Sequence, residues 1–453
     1  MKIALSEHFT YKKLIRFTLP SVAMMIFTSI YGVVDGFFVS NFVGKTPFAA
    51  VNIIYPFIMI LGSVGFMFGT GGSALIARFM GEGNNQKARR TFSLIVYISF
   101  GLGLLLSALG IIFIRPVASM LGAEGQLLED AVIYGRIILM ANPAFILQME
   151  FQSLFITAEK PQLGFFVTIG AGVTNMVLDG LLVGVFSFGL KGAAIATALS
   201  QAVGGIVPLI YFMMPNKSLL RLGKTKFDGK SLLRTCTNGS SELMSQISMS
   251  FVSMLYNKQL LKYAGESGVA AYGVLMYVCL VFLGIFIGYS IGTAPVISYN
   301  FGAQNHKELK SLLRKSLIII GIVSVLMVIL AEGLSTPLSL LFVGYDKELL
   351  GITSRAFMIS SVSFLFSGFA IYFSGFFTAL NDGLTSALLS FMRTLVFQIA
   401  SILVLPLLFG LDGIWLSFII SDCLAVVTGT VFVIIKKKKY HYWMNCQTKC
   451  NTF

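Results

Sequence analysis

Apolar runs long enough to cross a bilayer recur along the whole chain, separated by short breaks rich in charge or in Gly, Pro and Asn. A span needs about 20 consecutive, mainly apolar residues. By that measure twelve are predicted, at roughly 14–40, 48–78, 92–114, 131–157, 162–187, 191–214, 236–261, 268–299, 312–332, 349–379, 383–409 and 413–435. Each run is expected to be helical, because hydrocarbon leaves backbone N–H and C=O groups no partner outside their own segment. The first run holds Pro20 and Asp35 and lacks a small-residue cleavage pattern, so it reads as a span rather than a cleaved leader.

The pattern also repeats. Phe79-Met80-Gly81-Glu82-Gly83-Asn84 answers Asn300-Phe301-Gly302-Ala303-Gln304-Asn305, with Gly81 and Gly302 221 positions apart. Thr157-Ala158 with Thr378-Ala379, Gly189-Leu190-Lys191-Gly192 with Gly410-Leu411-Asp412-Gly413, and Pro116 with Pro337 keep the same offset. Six spans is an even number, so equivalent loops fall on the same side. The expected fold is therefore all-α integral membrane: twelve transmembrane helices in two parallel six-helix repeats, related by a pseudo-two-fold along the membrane normal, around a central cavity. The organisation that follows is an N-terminal six-helix lobe over 1–214, a basic linker over 215–235, a C-terminal six-helix lobe over 236–435 and a basic tail over 436–453.

Composition agrees with this picture. Of 453 residues 56% are hydrophobic and 11% charged, and the mean hydropathy is +0.85. The net charge of +14 would suit a nucleic-acid partner, but the basic residues alternate with the spans. One set of loops and ends carries most of them, including Lys12, Lys13, Arg89, Arg90, Arg221, Lys224, Lys226 and Lys436 to Lys439, with Lys217 and Lys449. The other set has only Lys45, Arg115, Lys191, Lys258, Lys262 and Lys347. The positive-inside rule then places both termini in the cytoplasm, and nucleic acid is not needed to explain the charge. Five cysteines imply no disulfide framework, and Cys446-x3-Cys450 lacks a second pair of ligands for a metal.

The chemistry lies inside the spans. Asn175 and Asp179, four apart, share one helix face in the fifth run, and Tyr31 and Asp35 do the same in the first. Thr197 lies in the sixth. An acid inside a span is a functional-site hypothesis by default. Two carboxylates, an amide, a hydroxyl and a phenol supply ligands for a hard cation such as Na⁺ at Asp35, Asn175 and Asp179. The same carboxylates could load and release H⁺, because burial and a neighbouring acid both favour the protonated form. Sequence leaves H⁺ and Na⁺ equally open. The repeat does not duplicate this set: 221 positions on, Asp35 becomes Tyr256, Asn175 Val396, Asp179 Ala400 and Thr197 Phe418. The acidic set is expected in the first lobe alone.

Other intramembrane charges are candidates of a second kind. Glu150 is expected either in the cavity or in helix packing, and Glu242 is a further cavity candidate. Arg393 could neutralise a carboxylate, repel a cationic substrate or snorkel to the cytoplasmic surface. Arg136 and Arg355 lie close to Glu129-Asp130 and Asp346-Lys347-Glu348, where structural pairing is expected. Gly284, Gly288 and Gly292 form a close-packing face. The 20 Met and 41 Phe supply material for an adaptable cavity.

Pro20, Tyr31, Asp35, Asn175-x3-Asp179, Thr197, the Gly81 and Gly302 loops and the repeated Gly-Leu-x-Gly turns together carry a resemblance. The chain resembles the multidrug and toxic compound extrusion (MATE) transporters, of the DinF-like branch that includes MepA-type bacterial efflux pumps. The resemblance covers essentially all of it. It implies a monomeric antiporter in a bacterial plasma membrane that exports amphipathic, often cationic compounds in exchange for H⁺ or Na⁺, with no cofactor. It implies that Asp35, Asn175, Asp179, Thr197 and Tyr31 form the first-lobe cation site and that Pro20 is a hinge. Other members place acids in their seventh and tenth spans; here Glu242 lies in the seventh and none lies between Leu349 and Leu380. Two readings compete. A flippase for a lipid-linked sugar needs a cluster of arginines for a diphosphate, and only Arg393 is a candidate. An intramembrane enzyme needs nucleophile, base or metal ligands, but His8, His306 and His441 all lie in termini or a loop.

Overall fold

The computed structural model of the chain describes residues 3–216, 218–344 and 346–442. Cys446 and Cys450, and Lys217 and Lys449 of the basic set, lie outside them. Among the described residues every regular element is helical. The first repeat comprises α1 (Tyr11–Phe38), α2 (Lys45–Gly81), α3 (Asn85–Met120), α4 (Gly125–Thr157), α5 (Pro161–Leu178) and α6 (Gly189–Met213). The second comprises α7 (Gly229–Gly302), α8 (His306–Val343), α9 (Lys347–Ser361), α10 (Phe364–Ala379), α11 (Gly383–Phe391), α12 (Phe397–Phe409) and α13 (Leu411–Tyr440).

Among the described residues ten helical stretches are long and apolar enough to cross a membrane. Helices α9 and α10, bent by 52° across a short break, make one more. Helix α7 is broken at Gly265 (φ 59°, ψ −150°), so 229–264 runs as a rod separate from Ser267–Gly302, which is one of the ten; 229–264, less apolar, stands where the seventh of the twelve expected spans falls. The chain is a multi-pass membrane protein.

The repeat seen in sequence is a repeat of backbone. Asn84 caps α3 by accepting from the Lys87 N–H, and Asn305 caps α8 by accepting from the Glu308 N–H. Gly189 and Gly410 open the last helix of each repeat at φ 57° and 59°, a left-handed conformation that glycine adopts without steric cost. Termini, the 82–84 and 303–305 loops and the linker between α6 and α7 share one face, here termed the basic face.

The two repeats are pressed together at that face. A Cβ on Gly81 would sit 2.0 Å from the Tyr299 carbonyl oxygen, one on Gly302 2.2 Å from that of Arg78, and one on Gly239 1.9 Å from that of Met67. Backbones this close need glycine on at least one side. The glycine face of α7 packs on α1: a Cβ on Gly288 or Gly292 would sit 2.6 and 3.1 Å from Val22 and Thr18, whereas one on Gly284 would stand 3.4 Å from Ser29. Farther out, a Cβ on Gly36 of α1 would meet only the tip of Tyr277, at 3.8 Å. The lobes are thus closed at the basic face and part towards the other.

Chain ends reinforce the closure. Residues 3–10 lie across the lobes: the Leu5 N–H donates to Glu159 of the first (3.0 Å) and the Phe9 N–H to Glu308 of the second (3.0 Å), with both side chains fully buried. Asn381 accepts from Asn238 (3.0 Å) and reaches the Ala74 carbonyl of α2. Beside it, Asp382 accepts from Lys436 (3.2 Å) and Tyr440 (2.6 Å), fastening α13. Burial raises the Asp382 carboxyl, but the hydrogen bonds from Tyr440, Thr385 and Lys436 outweigh it and hold it below the ordinary carboxylate range. An acid depressed in this way adds stability above its unfolded value of about 3.9 and loses it as pH falls through the folded value. Asp382→Asn is expected to cost about 2 kcal/mol at neutral pH, the size of a charge-assisted hydrogen bond. Thermal unfolding in detergent checks this: the gap from wild type is full at pH 7, begins to narrow at about pH 4 and closes as pH falls through the lower folded value. A gap that stays equal as pH falls refutes the assignment.

At the opposite face, Arg355 makes a two-pronged pair with Asp412 (2.8 and 2.6 Å), not with the nearer-in-sequence Asp346 or Glu348, and Arg115 takes Glu129 (2.5 Å). Asp346 is committed to capping α9.

Candidate cation site in the first lobe

The five residues singled out by pattern converge on one place. Thr197 of α6 donates to Asp35 Oδ1 of α1 (3.3 Å), and Asn175 Nδ2 of α5 donates to the same Thr197 hydroxyl (3.4 Å). Asp179 follows one turn after Asn175 and faces Asp35. Asn175 and Asp179 are 1% and 0% exposed, while Asp35, Tyr31 and Thr197 are half-buried. Tyr31 lies against Gln148 of α4, and Tyr134 closes the floor at Thr197. Tyr55 of α2 and Tyr277 of α7 approach Asp35 from the two lobes, and Tyr55 is 51% exposed, so the space before Asp35 opens between the lobes.

Local backbone explains how α5 presents its acid. The helix changes at Asp179 into a wider π-helical stretch, Asp179–Val185, where Gly180 and Gly184 weaken ordinary helical preference. α1 does the same just past Asp35, at Val39–Val43. Such turns shift side-chain direction and recur at functional sites. Gly172 lets Tyr31 and Phe27 approach α5, where a Cβ would meet them at 3.0 and 2.5 Å. α1 runs unbroken through Pro20, which cannot donate a helical hydrogen bond to the Arg16 carbonyl.

Charge is poorly compensated there. Neither Asp179 oxygen receives a hydrogen bond from an N–H or hydroxyl group, and Asn175 Oδ1 receives none either; the Asp35 carboxyl beside Asp179 can bond it only by sharing a proton. A buried polar atom normally has a partner, and leaving one without costs about 1–3 kcal/mol, more when it is charged. Three buried oxygens without N–H or hydroxyl donors, beside a second carboxylate, fit either a proton or a small hard cation. Among the described residues no group of three or more His, Cys, Asp or Glu side chains could hold a metal ion.

The second lobe keeps the geometry and changes the chemistry. Where Asp35 meets Thr197, its counterpart Tyr256 stacks on Phe418 with ring centroids 4.7 Å apart. The Tyr256 hydroxyl donates to Gln398 (2.6 Å) and lies 2.5 Å from Ser417. Arg393, the counterpart of Gly172, sits in a third π-helical turn, Met392–Val396. It is half-buried, with Asp422 of α13 and Glu242 of α7 as the acids in its electrostatic surroundings and no ion pair to either among the described residues. Asp422 also accepts from Ser367. The first-lobe set is not repeated at the equivalent positions, but the second lobe carries acids of its own inside the membrane, a buried Asp422 and a half-buried Glu242, with the half-buried Arg393 near both. Asp422 escaped the sequence reading although an acid in an apolar run was the available signal.

Glu150 is also placed. It accepts from Ser99 of α3, packs its backbone against Gly69 of α2 and is fully buried. It belongs to helix packing inside the first lobe, not to the space between lobes.

Comparison with known proteins agrees with this architecture. The MatE family model matches twice, over residues 20–181 and 243–404, one copy on each repeat. Multidrug export protein MepA of Staphylococcus aureus (strain MRSA252) is 23% identical over 430 residues, covering 95% of this chain and 94% of the relative. MepA of Staphylococcus haemolyticus is 26% identical over 318 residues, 70% of each chain. A crystal structure of MATE in complex with MaL6 superposes with a TM-score of 0.91 at 21% identity, covering 96% of this chain and 98% of that one. The outward-facing conformation of a multidrug resistance MATE family transporter of the MOP superfamily gives 0.90 at 22% identity, covering 96% and 97%. With one model copy on each half and one fold across almost its whole length, the chain belongs to the MatE family of multidrug and toxic compound extrusion transporters.

Proposed function

We propose that this protein is a cation-coupled antiporter that exports amphipathic, often cationic compounds by alternating access, with H⁺ or Na⁺ as the coupling ion. The observation that carries this reading is Asp179: a fully buried carboxylate with no N–H or hydroxyl donor, behind a half-buried Asp35 that borders the space between the lobes. Loading one cation there removes an uncompensated buried charge and changes which arrangement of the lobes is favoured. A ligand drives such a change only through its different affinity for the two states. Asp35 serves as the entrance, Asp179, Asn175 and Thr197 as the receiving side chains, and α1 around Pro20 as the part that responds. The basic face would lie in the cytoplasm of a bacterial cell, the protein acting as a monomer.

The relatives' multidrug export and the open space lined by Tyr31, Tyr55 and Tyr277 support drug-sized cargo. The flippase alternative is less favoured, because its one candidate cation, Arg393, lies near two acids, Asp422 and Glu242. The test is efflux of a fluorescent lipophilic cation from proteoliposomes under a pH gradient alone or a Na⁺ gradient alone. One of the two is expected to drive export. No flux under either overturns the function.

A further inference from the structure

The linker between the lobes, over 218–228, holds no helix, yet it is not a loose loop. Its backbone is laid along the outer flank of α3: Arg89 Nε donates to the Leu219 carbonyl (3.1 Å), the Gly223 N–H to Ser93 (3.1 Å), Tyr97 to the Gly223 carbonyl (3.3 Å) and Thr225 to the Arg90 carbonyl (2.9 Å). Arg89, Ser93 and Tyr97 are successive turns of one helix face. Leu220, fully buried, pins the segment from below.

This fastening leaves the cations outward. Arg90, Arg221, Lys224, Lys226, Lys230 and Arg234 are exposed, and none pairs with a described acid. The one acid in the stretch, Asp228, is spent capping α7. Between the cations stand two large apolar side chains with no cover, Phe227 at 74% and Leu233 at 66% exposure. The site lies where α6 ends and α3 begins, at the edge of two spans. Apolar side chains interleaved with cations at that level suit the boundary of acyl chains and headgroups, and the fixed charges suit phosphates of one sign.

We propose that residues 219–234 form a docking surface for anionic phospholipids, with Phe227 and Leu233 in the acyl boundary and the surrounding Lys and Arg on lipid phosphates. Because the segment is fastened to α3 of the first lobe and runs directly into the start of α7, lipid held there acts on the position of the second lobe's first helix.

The experiment uses the full chain with Phe227→Trp, reconstituted in vesicles that contain brominated lipid. Wild-type emission is subtracted to remove the native tryptophans. Brominated phosphatidylglycerol is expected to quench the new tryptophan at least about twofold more strongly than brominated phosphatidylcholine at equal mole fraction. Adding Arg221→Gln, Lys224→Gln, Lys226→Gln and Lys230→Gln is expected to abolish that preference while the melting temperature in detergent stays unchanged. Equal quenching by both lipids, or none by either, overturns the proposal. So does a preference that inorganic phosphate removes and sodium chloride of equal ionic strength does not, since that marks a site for free anions.

Discussion

Asp179→Asn is expected to reduce cation-driven efflux in proteoliposomes more than tenfold without lowering the melting temperature. The two parts follow from one observation. Asn fills the same volume but cannot gain or lose a charge, so the coupling ion no longer distinguishes the two arrangements of the lobes. A tenfold loss corresponds to about 1.4 kcal/mol of lost bias, well within what a buried charge supplies. Stability, in contrast, does not suffer, because the carboxylate has no N–H or hydroxyl donor to lose and its desolvation is unfavourable. Asp35→Asn is expected to lose transport to the same degree. Wild-type efflux in either variant refutes the site; loss of efflux with a collapsed melting temperature would make Asp179 structural instead.

Gly302→Leu is expected to abolish export by a different route. Its Cβ would lie 2.2 Å from the Arg78 carbonyl oxygen, a backbone atom that cannot swing aside. The lobes must separate at the basic face, so the closed arrangement seen here is lost while each lobe keeps its own core. Spin labels at residues 82 and 304 should report a separation several ångströms larger than in the parent, and efflux should fall more than tenfold. Gly101→Leu is the control: nothing lies within 4 Å of a Cβ there, and it should be silent. Unchanged distances in Gly302→Leu would show that this face is not a gate.

Both predictions depend on features of different legibility. The Asp35, Asn175, Asp179 and Thr197 constellation was readable because polar side chains inside apolar runs are few, and helical spacing of four fixes which pairs share a face. The glycines at the closed face were visible as repeated motifs, but their partners were not, since a glycine carries no side chain to declare what approaches it. Glu150 could not be assigned from its run, because a buried acid looks the same in sequence whether it meets Ser99 or an open cavity. Arg355 was expected to find an acid close in sequence and found Asp412, which is distant in sequence but adjacent where two helix ends meet.

What sequence determined by itself was whatever rests on composition along one helix: span number, the repeat at 221, the basic and non-basic faces, and the first-lobe polar set. These follow from the cost of placing polar groups in hydrocarbon, which acts residue by residue and leaves a local record. Only tertiary structure decided which state the lobes occupy, that Asp179 lacks an N–H or hydroxyl donor, and that Tyr256 on Phe418 replaces the contact of Asp35 with Thr197. It also brought Glu242, Arg393 and Asp422 from three helices into one cluster. Such facts depend on distances between segments that are hundreds of residues apart, and packing rather than local pattern sets those distances.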